Sequence, residues 1–292
     1  MDDTHTITAG GIGGTIEADG AELCSLTTAA GLELLWQAGP AWPRHAPWLF
    51  PIVGRLKNDT LRHRGQHYHL TQHGFARDLR FQWLERTARG CSLRLTDSDA
   101  TWPRYPFAFR LDIAYAIDEA CLEMTIDIAN PGAEILPASF GAHPAFNWPL
   151  LPGLPKESYS LIFEQPEPAR IRRLSGGLMR TEAEPSPNEG AVLPLTERLF
   201  DDDAMILDAP ASRALRYAGP RGPSLGIAWS GFRELGVWSK PSGAPFLCIE
   251  PWRGFASPVD FDGEFADKPG VMLIAPGATE RLTMSIKVQT VS

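Results

Sequence analysis

Between Phe107 and Asn130 the chain reads FAFRLDIAYAIDEACLEMTIDIAN, and its apolar positions recur at every second residue. Phe107, Phe109, Leu111, Ile113, Tyr115 and Ile117 alternate with smaller or polar residues. An acidic turn at Asp118 and Glu119 follows, and then Leu122, Met124, Ile126 and Ile128 alternate with Glu123, Thr125 and Asp127. Successive strand side chains leave opposite faces, so this pattern predicts an antiparallel hairpin with one face buried. Segments of the same character recur at RGCSLRLTD, SYSLIFEQ, PSLGIAWS, ELGVWSK, PFLCIEPW and RLTMSIKVQ, separated by glycine, proline, aspartate and serine clusters. No segment of helical length carries a helical period; AAGLELLWQ is short and stops at glycine and proline.

The fold class expected is therefore all-β, and the 27 glycines and 26 prolines serve its turns. The 292 residues are read as one domain, residues 1–292, since large sandwiches reach this length. The polar stretch RTEAEPSPNEGAVLPL, residues 180–195, is then a long surface loop within that domain and not a linker.

Hydrophobic residues make up 43% of the chain and charged ones 21%, with no run long enough to span a membrane. The acidic, polar start MDDTHTITAGG lacks the basic and apolar parts of a secretory signal, which points to the cytoplasm. A net charge of −8 disfavours nucleic acid and anionic membranes and suits a neutral small molecule. Cys24, Cys91, Cys121 and Cys248 form no CxxC pair and are read as buried free thiols.

Several motifs carry candidate chemistry, each beside an ordinary explanation. The glycines of AGGIGGTIEADG lack the following helix of a dinucleotide site and read as turn residues. His63, His67, His69 and His73 include i, i+2 pairs that a metal could use. No cysteine or carboxylate stands at ligand spacing, however, and Gly65 marks a hairpin tip, so no metal is assigned. His73, in HGFARD, either lines a pocket or sits in a turn beside a solvated Arg77–Asp78 pair. Glu250, in CIEPWRGF, is either a base tuned by apolar surroundings or an acid in an edge turn that binds backbone amides. Asp201, Asp202 and Asp203 could supply a hydroxyl ligand or form a solvated turn. His143, in SFGAHPAFNWP, is either a packed residue or a proton carrier. Nine tryptophans are many for this length, and Trp148, Trp238 and Trp252 stand beside the candidate polar groups; they fill a core or stack on sugar rings.

Taken in order, WLFPIVGRLKND, QHGFARD, YPFAFRLDIAY, ASFGAHPAFNWP, LFDDDAMIL and CIEPWRGF resemble the aldose 1-epimerase (galactose mutarotase-like) family, in particular its LacX-like branch. The resemblance runs over nearly the whole chain. It implies a β-supersandwich of large antiparallel sheets with an open sugar-binding cleft, and an isomerase that interconverts the α and β anomers of a free aldose without cofactor or metal. It further implies that Glu250 takes the proton of the C1 hydroxyl while His143 protonates the ring oxygen. Such chemistry calls for a base and an acid on opposite sides of the C1–O5 unit. Arg55, His73 and Asp203 would contact the sugar, with Trp252 beside them. Better known galactose mutarotases have Asn-Arg where this chain has Gly54-Arg55, and the aspartate segment aligns in more than one register. Two other readings stay open: a hexose-6-phosphate 1-epimerase, in which Arg55, Arg77 or Arg253 would clamp phosphate, and a noncatalytic sugar-binding protein on the same fold. A glycoside hydrolase would need a second acid across the bond from Glu250.

Overall fold

A computed structural model describes residues 3–241 and 243–290. The predicted hairpin is present as Arg110–Asp118 paired antiparallel with Cys121–Ala129. Its two-residue turn, Glu119-Ala120, has both residues at positive φ, as a type I′ connection requires. Leu111, Ile113, Tyr115 and Ile117 are buried. On the other face, cross-strand ion pairs such as Asp127 with Arg281 keep the sheet polar toward solvent.

That hairpin sits inside a nine-stranded sheet, whose order is Val192–Pro194, Ser160–Phe163, Ala214–Ala218, Pro223–Ser230, Thr279–Thr290, Cys121–Ala129, Arg110–Asp118, Gly90–Thr96 and Gln82–Arg86. A second, eight-stranded sheet runs Leu178–Glu184, Ile171–Ser175, Met205–Leu207, Glu234–Trp238, Phe246–Arg253, Phe140–Ala142 and Trp48–Leu49. Its eighth strand, Ala145–Asn147, also pairs with Phe246–Arg253. A three-stranded sheet, Thr4–Ala9, Ile12–Glu17 and Leu23–Thr28, and two hairpin-sized sheets complete the set. The ladders between these strands are antiparallel, and one apolar cluster runs from Ile7 through both large sheets to Val288. No helix among the described residues is long and apolar enough to cross a membrane.

Two expectations change. Residues 180–195 are only partly a loop, because Leu178–Glu184 forms a hairpin with Ile171–Ser175 and Val192–Pro194 pairs with Ser160–Phe163. Both lie at sheet edges, where polar residues and prolines guard an open strand and hide its period. Of the four free thiols, Cys91 and Cys248 are buried, whereas Cys24 and Cys121 are partly exposed. Gly10 and Gly11 form the tip between the first two strands, and Arg64-Gly65 the tip of the hairpin that carries His63, His67 and His69.

Candidate active site

The strand Phe246–Arg253 is buried on both faces, with Glu234–Trp238 on one side and two short strands on the other. Glu250 therefore lies inside a central strand, not in an edge turn. Gly141 pairs with Trp252 and Ala145 with Cys248. Continuing that register across the break at Pro144 sets His143 opposite Glu250, on one face of the pair, where side chains meet directly. His143 Nε2 is 3.3 Å from Glu250 Oε2. The imidazole and the carboxyl are thus direct neighbours in the structure.

Trp252, two residues on and on the same face, donates its indole Nε1–H to Glu250 Oε2 at 3.2 Å. Two glycines make room for that indole: a Cβ on Gly236 would lie 2.4 Å from Trp252 Cζ2, and one on Gly141 2.8 Å from Cδ1. The glycine of SFGAHP thus serves the tryptophan of CIEPW, a relation invisible along the chain. Burial pushes Glu250 well above the usual carboxylate range, against the Trp252 hydrogen bond and with a smaller push from Asp203. Burial also pulls His143 down to about 3, with the charges of Arg77 and Arg44 acting in the same direction. Both groups are driven toward neutrality. His143 Nδ1 is buried without a hydrogen-bond partner, while its backbone N–H donates to Pro47 O at 3.1 Å.

His143 and Glu250 lie in the wall of a cavity of about 340 Å³ that also takes in His73, Arg77, Asp203 and Trp252. His73 stands edge-on to His143, ring centroids 5.6 Å apart. Its backbone is left-handed at φ +68, held by a reciprocal pair: His73 N–H donates to Gly54 O at 2.8 Å and Gly54 N–H donates to His73 Nδ1 at 3.1 Å. With Nδ1 accepting from Gly54, the neutral ring carries its proton on Nε2. Burial, then His143 and the nearby arginines, push this imidazole well below its ordinary value.

The acidic trio divides. Asp202 forms a two-pronged ion pair with Arg180, and Asp203, at φ +65, is the one in the cavity wall. Arg55 is turned away, with Nε and Nη2 each donating to Asp59 at 2.7 Å. The cation in the wall is Arg77, which forms the expected pair with Asp78, Nε to Oδ2 at 3.9 Å, and donates from Nη2 to Gln72 O at 2.8 Å. His63 packs on Phe107 with centroids 4.5 Å apart, and His67 and His69 are exposed, all away from the cavity. Trp42, which sequence reasoning passed over, stacks on His143 with centroids 4.9 Å apart and planes at 25°. Trp238 meets the same ring edge-on at 5.8 Å. The available signal for Trp42 was a lone indole in the aperiodic, proline-bounded GPAWPRHAP, where no strand period accounts for so large an apolar side chain.

The arrangement offers a coupled acid and base under aromatic walls, with polar groups at the rim. The aldose 1-epimerase family model matches residues 3–165, a span that holds His73 and His143. The LacX proteins of Lactococcus lactis subsp. lactis, plasmid and chromosomal, are each 31% identical over 280 residues, covering 92% of this chain and 94% of theirs. A galactose mutarotase related enzyme from Lactobacillus acidophilus superposes with a TM-score of 0.90 at 31% identity, covering 98% of this chain and 97% of that one. A galactose mutarotase-like protein from Lactobacillus casei gives a TM-score of 0.91 at 28% identity, covering 98% of this chain and 100% of the other. By fold, by family model and by relatives along most of its length, the chain belongs to the aldose 1-epimerase family, with a galactose mutarotase-like β-sandwich.

Proposed function

We propose that the protein is an aldose 1-epimerase that interconverts the α and β anomers of a free hexose by acid–base ring opening. The observation that carries this reading is the buried 3.3 Å contact between His143 and Glu250 in the cavity wall. In the reactive form the pair is carboxylate and imidazolium. Glu250 removes the proton of the C1 hydroxyl, the C1–O5 bond breaks, and His143 delivers its proton to O5, leaving an open-chain aldehyde. The pair is then carboxylic acid and neutral imidazole. Rotation about C1–C2 presents the other carbonyl face. His143 takes the O5 proton as O5 attacks C1, and Glu250 returns a proton to O1. The sugar and the two side chains account for every proton.

Carboxylate with imidazolium and acid with neutral imidazole hold the same number of protons, so their direct contact makes the two forms readily exchangeable. Burial favours the neutral form in the free site, and sugar hydroxyls donating to the carboxylate favour the charged one. His73 and Asp203 supply hydrogen bonds to the sugar, while Trp42 and Trp238 offer faces for its C–H surface. Proton exchange spectroscopy over a panel of free aldoses tests the reading. Accelerated anomer exchange that is lost in Glu250→Gln is expected, and no acceleration for any sugar, even one that binds, would leave a sugar-binding protein instead.

Arg77 favours one second reading, a hexose 6-phosphate. Its side chain lines the cavity beside His73 and carries the positive charge a phosphate would need. Exchange rates for glucose and glucose 6-phosphate separate the two, and a large preference for the phosphate that Arg77→Gln removes would replace the first reading.

A further inference from the structure

A second constellation lies on the N-terminal sheet. Glu17 ends the strand Ile12–Glu17, Cys24 lies in Leu23–Thr28, and His45 belongs to the segment that leads from Trp42 to Trp48. Thr15 pairs with Ser25 but Ile16 with Leu23, so Cys24 is the extra residue of a β-bulge. A bulge re-aims the side chain it carries, and this one brings Cys24 beside Glu17 and His45. Gln37 Nε2 donates to the bulged Cys24 carbonyl at 2.9 Å. One carboxylate oxygen, the thiol sulfur and one imidazole nitrogen all lie within 4.8 Å of one another, and all three residues are partly exposed.

We propose that Glu17, Cys24 and His45 bind a divalent transition-metal ion, with zinc the best match to the donor set, and that the ion ties the N-terminal sheet to the segment bearing Trp42. Oxygen, sulfur and imidazole nitrogen are all accepted zinc ligands. Tetrahedral zinc with bonds of about 2.0–2.3 Å holds its donors roughly 3.6 Å apart, so small side-chain rotations close the triangle. A water completes the fourth position.

The charges around the triangle suit a cation. Glu17 has no ion-pair partner among the described residues, and the ion-pair partner of Glu22 is His45, with Nδ1 3.8 Å from Oε1. Glu22 also holds the ligand segment in place, accepting the His45 and Ala46 backbone N–H groups at 2.7 Å each. Outer groups of this kind orient metal ligands. The same segment is bonded to the candidate site: Ala145 N–H donates to His45 O at 2.9 Å and His143 N–H to Pro47 O at 3.1 Å. An ion at His45 would therefore stiffen the chain that stacks Trp42 on His143.

The test uses the full chain, stripped with a chelator and titrated with Co²⁺, whose thiolate-to-metal charge-transfer band reports a Cys ligand directly. One equivalent giving that band, displaced by Zn²⁺, is expected. Cys24→Ala should abolish the band and with it the rise in Tm on adding Zn²⁺, and His45→Gln should weaken binding by about tenfold or more. Cys248→Ala is the control, because Cys248 is close to His143 and Glu250 in a separate, fully buried grouping; it should keep the band. No band in the wild type, or a band that survives Cys24→Ala or disappears in Cys248→Ala, overturns the proposal. These readouts require no sugar chemistry, so they stand apart from the proposed activity.

Discussion

His143 stands opposite Glu250 across one antiparallel strand pair, Nε2 to Oε2 at 3.3 Å, and the register of Gly141 with Trp252 and Ala145 with Cys248 puts it there. The contact is a property of the sheet and not of a mobile loop. Its two members are close enough to share one transferable proton.

The first consequence is a pH profile. The form competent for exchange holds one transferable proton on the pair. Burial pulls His143 down to about 3 and pushes Glu250 well above the carboxylate range, so that form persists between a strongly acidic and a raised upper limit. The ratio kcat/KM is therefore expected to show no acid limb at the ordinary imidazole value of 6.5, and its alkaline fall, where the pair loses its proton, should lie above the ordinary carboxylate range. An acid limb centred near 6.5 would mean that His143 is not buried in the working enzyme.

Glu250→Gln separates activity from stability. Exchange should drop by about a hundredfold to ten-thousandfold, the usual contribution of a general base. A carboxyl whose folded pKa lies above its unfolded value binds more protons when folded, so its cost to stability is absent below the unfolded value and grows as pH rises through the folded one. The amide removes that cost. The Tm of the variant should exceed that of wild type by a margin that widens from acidic to alkaline pH. Were carboxylate and imidazolium the resting form, the variant would instead leave a buried cation unpaired and melt lower at neutral pH.

Gly236→Ala tests the seat of Trp252. The added methyl would lie 2.4 Å from the indole, and overpacking of this kind costs about 1–3 kcal/mol. Displacing the indole also removes its hydrogen bond to Glu250, so exchange should fall with stability. Adding Trp252→Phe relieves the overlap without restoring the donor. The double variant should regain stability by urea unfolding and remain slow, whereas recovery of both would deny Nε1 a part in holding Glu250.

Most of the architecture was legible because period two survives wherever one face of a strand is buried, as from Phe107 to Ile128. It failed at the sheet edges, where Leu178–Glu184 carries the polar residues that guard an open edge and Val192–Pro194 is three residues ending in proline, too short to show a period. His143, Glu250 and His73 could be picked out because each is polar in an apolar or glycine-bounded setting. Their proximity could not, since it depends on the register between strands about a hundred residues apart. Arg55 and Arg77 show the same limit: both flank motif histidines or glycines, and only the ion pair with Asp59 tells which one the cavity keeps.

Trp42 is the residue by which that cavity controls its acid. Its ring covers His143 at 4.9 Å, and burial is the largest cause of the depressed imidazole. Trp42→Ala should admit water to that face and move His143 back up toward 6.5, followed as the titration of its imidazole resonance. The acid limb of kcat/KM should rise with it. Trp42 is itself only half-buried, so the loss of stability should be smaller than the about 3–5 kcal/mol of a core tryptophan. KM should increase if the indole also stacks on the sugar. An unchanged imidazole titration would show that the strand register alone, without the Trp42 segment, keeps His143 dry; an upward shift with unchanged kcat/KM at neutral pH would show that the exchange step does not draw on the His143 proton.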